Sequence, residues 1–309
     1  MILSVSRRTD VPWFYSRWFY ERVRAGYVLV RNPFNARQVS RVPIRPDVVD
    51  GMVFWTKNPL PMMDGLEILD PYAYYFQFTL TGYGRDVEPR LPDKRKVLIP
   101  AFRELAARLG PERMVWRYDP ILISSRYTVS YHLKAFGEIA EALRGCTDRA
   151  VISFLDFYRN MKGAAGELGA AAPDGAEMEK LAGEMSRMAA GAGMKVETCA
   201  EDVDLSAWGV QKGACIDQER ISRILGCEIK GKKDPGQRPG CGCMESIEIG
   251  SYGTCPGGCR YCYAGPFRKE GMKNWNVRQP ILGREIGPED EVRERKAFSL
   301  RQGQLKLDL

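Results

Sequence analysis

The chain has 309 residues, with 46 Lys and Arg against 39 Asp and Glu, a formal charge of +7; hydrophobic residues make up 44% and charged ones 28%. This composition is globular and excludes a disordered or fibrous chain. A chain of this length buries roughly 75% of the surface it exposes unfolded, so its core needs no disulfides, and the length suits one large barrel or two ordinary domains.

No apolar run reaches the ~18 residues of a membrane span. The apolar residues 1–5 run at once into Arg7, Arg8 and Asp10, which is not the order of a secretory leader. A cytoplasmic protein without membrane contact is expected. Nine cysteines in a reducing compartment then serve something other than disulfides. The one histidine, His132, argues against any mechanism or zinc site that needs two imidazoles from this chain. It is expected to be a helix-surface or packing residue.

Eight short β-rich runs are expected as strands, many ending in polar or charged residues: 2–5, 27–30, 52–55, 74–78, 114–116, 151–155, 195–198 and 246–249. Helical patterns lie between most of them, at 12–24 with Pro12 near its start and Gly26 as a stop, and at 93–109, 129–143 and 177–190. Residues 161–176, rich in Ala and Gly, read as a loose connection, and the basic stretch 230–239 reads as a loop. Strands alternating with helices predict a parallel sheet with crossover helices, and eight of them suggest a complete or partial (β/α) barrel. Chemistry then belongs at the C-terminal strand ends, where Arg, Lys, Asp, Thr and Cys cluster here. An open doubly wound sheet would read much the same way.

The strongest motif is Cys255-Pro-Gly-Gly-Cys259-Arg-Tyr261-Cys262, a C-x3-C-x2-C loop. Three such thiolates can hold three irons of a four-iron cluster and leave the fourth open, with the glycines letting the backbone wrap around it. The alternative is a zinc knot that recruits Cys241 or Cys243. Cys199, Cys215, Cys241 and Cys243 form a further candidate set for a second 4Fe–4S cluster. Cys243 precedes a strand while Cys199 follows one, so the loop before Met244 must fold back if the four are to meet. Cys146 and Cys227 are expected to be structural.

The loop resembles that of radical S-adenosylmethionine (radical SAM) enzymes. The rest of the chain resembles the domain-of-unknown-function family numbered 1848, through Ser4-Val-Ser-Arg-Arg-Thr-Asp10, Arg31-Asn-Pro-Phe34, Phe54-Trp-Thr-Lys-Asn-Pro59, Phe76-Gln-Phe-Thr-Leu-Thr-Gly82, Trp116-Arg-Tyr-Asp-Pro120, Glu197-Thr-Cys-Ala-Glu201 and Gly240-Cys-Gly-Cys243. The resemblance implies a 4Fe–4S cluster, beside the second one that the other four cysteines could hold, and S-adenosylmethionine (SAM), with Cys255, Cys259 and Cys262 as iron ligands and Tyr261 against the adenine. It also implies reductive cleavage of SAM to a 5′-deoxyadenosyl radical, fed by a small reductant protein such as a flavodoxin or ferredoxin. In radical SAM enzymes the cysteine loop usually follows the first barrel strand; here only 47 residues follow Cys262. Those cannot supply the remaining βα units. A circularly permuted radical SAM-type barrel or partial barrel is therefore expected, spanning 1–262 with the cluster loop at 255–262, and 263–309 as an extension packed on it. The strand at 246–249 should then lie beside 2–5.

Arg8, Lys57, Arg117 and Asp119 are the candidate catalytic residues at the strand ends, with Arg7 and Thr56 as candidate cofactor-binding residues beside Tyr261. Arg offers a bidentate fork to a carboxylate, Lys57 a cation, and Asp119 an acceptor for a ribose hydroxyl or an amine. Each has a structural reading too, such as an Arg8–Asp10 ion pair. Helix 12–24 interleaves aromatic and basic residues, which fits a helix packed on the barrel or, less simply, a nucleic-acid contact. Two functional alternatives stand beside the radical SAM enzyme. One is a non-catalytic iron–sulfur or zinc protein for electron transfer or nucleic-acid binding. The other is an enzyme that repairs or modifies nucleic acid, suggested by a loose similarity of 56–57 and 117–120 to spore-photoproduct-lyase-type enzymes.

Overall fold

The computed structural model describes residues 1–157, 166–238 and 240–302. Its strands are β1 (Ile2–Val5), β2 (Tyr27–Arg31), β3 (Gln38–Pro43), β4 (Gly51–Thr56), β5 (Tyr74–Thr79), β6 (Met114–Ile121), β7 (Arg149–Phe154), β8 (Lys195–Thr198), β9 (Val210–Lys212), β10 (Ile247–Glu248) and β11 (Glu291–Glu294). Eight of them form one sheet in the order β10-β1-β4-β5-β6-β7-β8-β9, with every ladder parallel. Among the described residues no ladder joins β9 to β10, so this mixed α/β fold is open at that seam. The late strand β10 flanks the first one, with Leu3 opposite Ile247 and Ser4 opposite Glu248, as the length argument required.

Side-chain alternation gives the sheet two apolar faces. Leu3, Phe54, Phe76, Trp116 and Ile152 join the large core cluster, together with Trp18 and Phe19, Phe102, Phe136, and Leu181 and Met185 from the crossover helices. Their neighbours Ile2, Val53, Tyr75, Val115 and Val151 belong to a second cluster with Cys215, Ile216, Ile221, Cys241, Cys243 and Met244. The crossover helices thus lie on one face only, which sets the fold apart from the doubly wound alternative, where they cover both. The other face is filled by the segment 213–246. Its helix Gln218–Leu225 crosses near the strand starts: Ile221 approaches Gly51, and buried Arg220 donates to Glu112 O and to Asp148 Oδ1 at 2.6 Å. The chain then returns, with Met244 N donating to Ile216 O at 3.1 Å. The loop before Met244 does fold back.

Several expectations need correction. The run at 27–30 is not a strand of the main sheet; β2 pairs antiparallel with β3, and β3 pairs with β11, in a separate three-stranded sheet. The eighth place in the main sheet belongs to β9, a three-residue strand with two exposed polar side chains. The helix at 12–24 is two helices, Val11–Phe14 and Ser16–Ala25, broken at Tyr15, whose φ of −135° is not helical. Trp18 and Phe19 are fully buried there, so this is a packing helix. The stretch at 93–109 opens as a wide turn capped by Asp93 and becomes the helix Ile99–Leu109. Of the loose connection at 161–176, residues 161–165 lie outside the described residues, and the helix Gly175–Gly191 already starts within its end, capped by Asp174. Beyond residue 262 the chain runs back over the first fifty residues. Ile281 bridges Leu29, and Leu300 N donates to buried Asp50 at 2.7 Å.

Candidate functional site

A cavity of about 850 Å3 opens at the C-terminal ends of the parallel strands. Every residue singled out for chemistry from the sequence lines it: Arg7, Arg8, Thr56, Lys57, Arg117, Asp119 and Tyr261, and the seven cysteines 199, 215, 241, 243, 255, 259 and 262. Strand ends explain this convergence. The turn after β1 carries Arg7 and Arg8, β4 ends at Thr56-Lys57, and β8 ends just before Cys199. In β6 the register with β7 shifts between Tyr118 and Ile121, where Asp119 stands, and such irregularities re-aim side chains.

The loop 255–262 is held by its neighbours. Tyr15 donates its hydroxyl to Thr254 O, and Arg260 N donates to Val87 O at 3.0 Å. Backbone N–H groups of Asp10 and Gly257 donate to the Cys255 sulfur, and those of Ala264 and Gly265 to Cys262. Gly258 sits at φ +71°, in the left-handed region. A Cβ at Gly257 would stand 3.4 Å from the Cys255 sulfur. Burial pushes the thiol of Cys255 up to about 11 and that of Cys259 up to about 12, and raises Cys262 too. Thiols in this state ionise readily only when a metal takes the proton's place. Three buried sulfurs on one loop, a left-handed glycine within it and a shared cavity fit three thiolate ligands of a cluster.

Lys57 is already engaged. Its ammonium donates to Glu88 Oε1 at 2.9 Å and lies 4.9 Å from the centre of the Tyr261 ring. Lys94 donates to the other Glu88 oxygen, and the Tyr261 hydroxyl donates a hydrogen bond to Glu88 Oε1. Burial alone would raise the Glu88 carboxyl; Lys57 and Lys94 outweigh it and hold it down to about 2. The phenol of Tyr261 is thus tied into the wall, though its side chain still lines the cavity.

Arg117 and Asp119 pair with each other. Arg117 Nε donates to Asp119 Oδ2 at 2.8 Å, Ser153 donates to the same carboxylate, and Arg117 Nη1 reaches Gln77 Oε1 at 3.1 Å and Cys215 Sγ at 2.9 Å. Arg7 lies 3.7 Å from both Glu248 and Asp234. Arg8 lies 4.9 Å from the centre of the Tyr252 ring. No Arg8–Asp10 ion pair forms, because Asp10 caps the helix at Trp13 N and accepts from Lys57 N at 2.8 Å. Thr56 is a buried turn residue whose hydroxyl accepts from Asn58 N and serves Asp10.

The four remaining cavity cysteines lie together. Cys199 and Cys215 sulfurs are 3.1 Å apart, and Cys241 and Cys243 lie with them in one buried cluster, where neighbouring thiols shift one another's pKa. Hydrogen bonding with Cys215 and burial hold the Cys199 thiol well above its usual value, whereas the bond to Cys243 lowers Cys241. Among the described residues no three His, Cys, Asp or Glu side chains already surround one point as ligands of a single ion. Cys146 and Cys227 follow helices away from the cavity. His132 is fully buried, with Tyr118 Oη 2.9 Å from Nδ1 and Leu122 O 2.8 Å from Nε2, and burial lowers its pKa to about 4.

Sequence reasoning missed Glu88, Glu248 and Glu201. Glu88 stands between strand-forming stretches with no local mark. Glu248 occupies β10 and accepts from Ser4 Oγ at 2.7 Å and Arg7 N at 2.9 Å. Glu201 lines the cavity, accepts from Phe154 N at 2.8 Å, and is pushed up to about 7 by burial. Its place three residues past a strand end was the one available signal.

The sequence profile of a family described as Domain of unknown function (DUF1848) matches residues 2–264. No curated protein and no solved structure matches the chain.

Proposed function

The chain belongs to the DUF1848 family, and from that premise we propose that it is a radical SAM enzyme of the cytoplasm built on a permuted partial barrel. One observation carries the reading. The C-x3-C-x2-C loop follows the strand beside β1, and its three cysteines line the same strand-end cavity as Lys57, Arg117 and Asp119. Cys255, Cys259 and Cys262 would hold a 4Fe–4S cluster that binds SAM in the cavity. When bound, this group supplies reductive cleavage of SAM to methionine and a 5′-deoxyadenosyl radical that takes hydrogen from the substrate.

The chain's own residues position and shield. Pairing Lys57 with Glu88 and Arg117 with Asp119 balances the charge of a wall that water would otherwise have to solvate. Tyr261, bonded to Glu88, is fixed as a rigid side of the cavity. Glu201, pushed up to about 7, can hold or release a proton at its carboxyl near neutrality. The electron comes from a small reductant protein of the flavodoxin or ferredoxin kind.

A nucleic-acid substrate is favoured by one feature. Phe34, 98% exposed, shares the cavity lining with Tyr252, Tyr263 and Arg8, an aromatic and cationic border of the kind on which bases stack. The test is anaerobic reconstitution with iron and sulfide, then dithionite and SAM. Methionine and 5′-deoxyadenosine are expected, and the C255A/C259A/C262A variant should make neither. Iron without SAM cleavage would leave an electron-transfer protein, and zinc without iron would leave a zinc protein.

A further inference from the structure

We propose that Cys199, Cys215, Cys241 and Cys243 are the ligands of a second metal centre, a four-thiolate site for a thiophilic metal: an iron–sulfur cluster or a zinc ion. The inference rests on different residues from the loop 255–262 and stands whether or not that loop binds iron.

The four come from three places in the chain: the end of β8, the turn after β9, and the returning limb of the 213–246 segment. A lone buried cysteine is a small hydrophobe and packs as one. Here four cysteines share one buried cluster and one cavity wall, two of them sulfur to sulfur at 3.1 Å, and polar donors are aimed at two of the sulfurs. Ile216 N donates to Cys243 Sγ at 3.3 Å, and the buried Arg117 guanidinium donates to Cys215 Sγ at 2.9 Å. A guanidinium gains far more from a thiolate than from a neutral thiol.

The backbone is shaped to the same end. Gly242, between Cys241 and Cys243, passes so close to the turn that a Cβ there would lie 3.1 Å from Gly213 O, so Cys-Gly-Cys is what brings both sulfurs in. Gly213 N in turn bonds Thr198 O at 3.0 Å, tying the turn to the β8 end beside Cys199. Ala200, next to Cys199, has φ +56°, a conformation that costs a non-glycine residue energy and persists where its surroundings impose it.

The donor set decides the class of ligand. Four sulfurs without imidazole or carboxylate select zinc or an iron–sulfur centre and disfavour magnesium, calcium and manganese. A zinc tetrahedron with bonds of about 2.3 Å has sulfur–sulfur edges of about 3.8 Å, so the sulfurs, 3.1 Å apart at Cys199 and Cys215, must open around an ion. For a cluster they must open further.

The experiment uses the full chain, prepared anaerobically and then reconstituted, with iron, zinc and sulfide counted per chain. Wild type, C241A/C243A and C255A/C259A/C262A are compared. The loop variant should keep either about four irons or about one zinc, according to which metal occupies the second site. The C241A/C243A variant should lose that same quota and keep whatever the loop holds. Should C241A/C243A fail to fold, Co2+ titration of the metal-stripped loop variant replaces it, with one thiolate-to-cobalt absorption band per chain expected and its loss on adding C199S. Three results would overturn the proposal: a loop variant free of metal, wild-type metal content in C241A/C243A, or recovery of the four cysteines as disulfides from anaerobically prepared protein.

Discussion

The two faces of the parallel sheet are made by the same strands and are both apolar along the strand bodies, but one of them ends in the charged cavity. Along β6, Met114, Trp116 and Tyr118 point to the helices, while Val115 and Arg117 face the other way, toward the 213–246 segment and the cavity. On the helix side, aromatic rings dominate: Trp116 stacks on Phe136 at 4.6 Å and Phe54 on Phe76 at 5.0 Å. On the cavity side, buried charge recurs, paired at Lys57–Glu88 and Arg117–Asp119. The contrast shows where this fold keeps its stability and where it spends some to hold reactive groups. Burying a large apolar side chain contributes about 1.5–3 kcal/mol. A buried ion pair roughly breaks even once desolvation is counted.

The largest expected effect falls on the helix side. W116A removes a fully buried indole that also donates to Leu80 O at 2.8 Å. It should cost about 3–5 kcal/mol, as buried aromatic truncations do, measured by urea unfolding. Metal content per folded molecule should stay at the wild-type value, since Trp116 does not line the cavity. Parallel loss of metal and stability would erase the distinction between the faces.

Much of this division was legible in the sequence, because alternation within strands is a local signal. Runs such as Tyr74-Tyr-Phe-Gln-Phe-Thr79 announce a strand, and their last residues announce the cavity rim. What was not legible depends on partners distant in sequence. Residues 27–30 look like any buried strand, and nothing local says that their partner is β3, whose exposed and half-buried polar residues hide it. Residues 210–212 are too short and too polar to stand out. The four-cysteine set was visible as residues. Its meeting place was not, because the fold-back of 213–246 rests on long-range contacts such as Met244 N to Ile216 O. Glu88 escaped for the same reason: its importance comes from Lys57, 31 positions away, and Tyr261, 173 away.

The next effect is a pH dependence on the helix side, from a titratable polar pair buried there. His132 is buried in its neutral form, with Nε2–H donating to Leu122 O and Nδ1 accepting from Tyr118. Burial lowers its pKa from 6.5 to about 4. The unfolded chain therefore binds a proton that the folded one refuses, so the contribution is fully present above pH 6.5 and is lost as pH falls toward 4. Over that window the loss should reach roughly 3 kcal/mol. In H132Q the difference in unfolding free energy between pH 7 and pH 4.5 should shrink by most of this amount. An unchanged slope would place the acid sensitivity among the carboxylates instead.

The smallest effect comes from setting two ion pairs side by side, one on each side of the sheet. Arg117 and Asp119 are enclosed, with side chains 6% and 18% exposed; Arg95 and Glu138 lie on the outer helical layer at 79% and 44%. Both pairs are close, so contact distance alone predicts equal worth. Burial predicts otherwise. R117M strands a carboxylate that Ser153 still serves and that one open side still hydrates, so its cost should stay near about 2 kcal/mol, below the 3–5 of a sealed site. It should be larger at pH 8 than at pH 5, because burial raises the Asp119 pKa and Arg117 is what lowers it. E138A should change stability by no more than about 0.5 kcal/mol, and about 0.5 M salt should remove even that, since exposed charges are screened within a few ångströms at that strength. If E138A proved as costly as R117M, charge pairing rather than burial would set the energy of this fold, and the two faces would differ in composition alone.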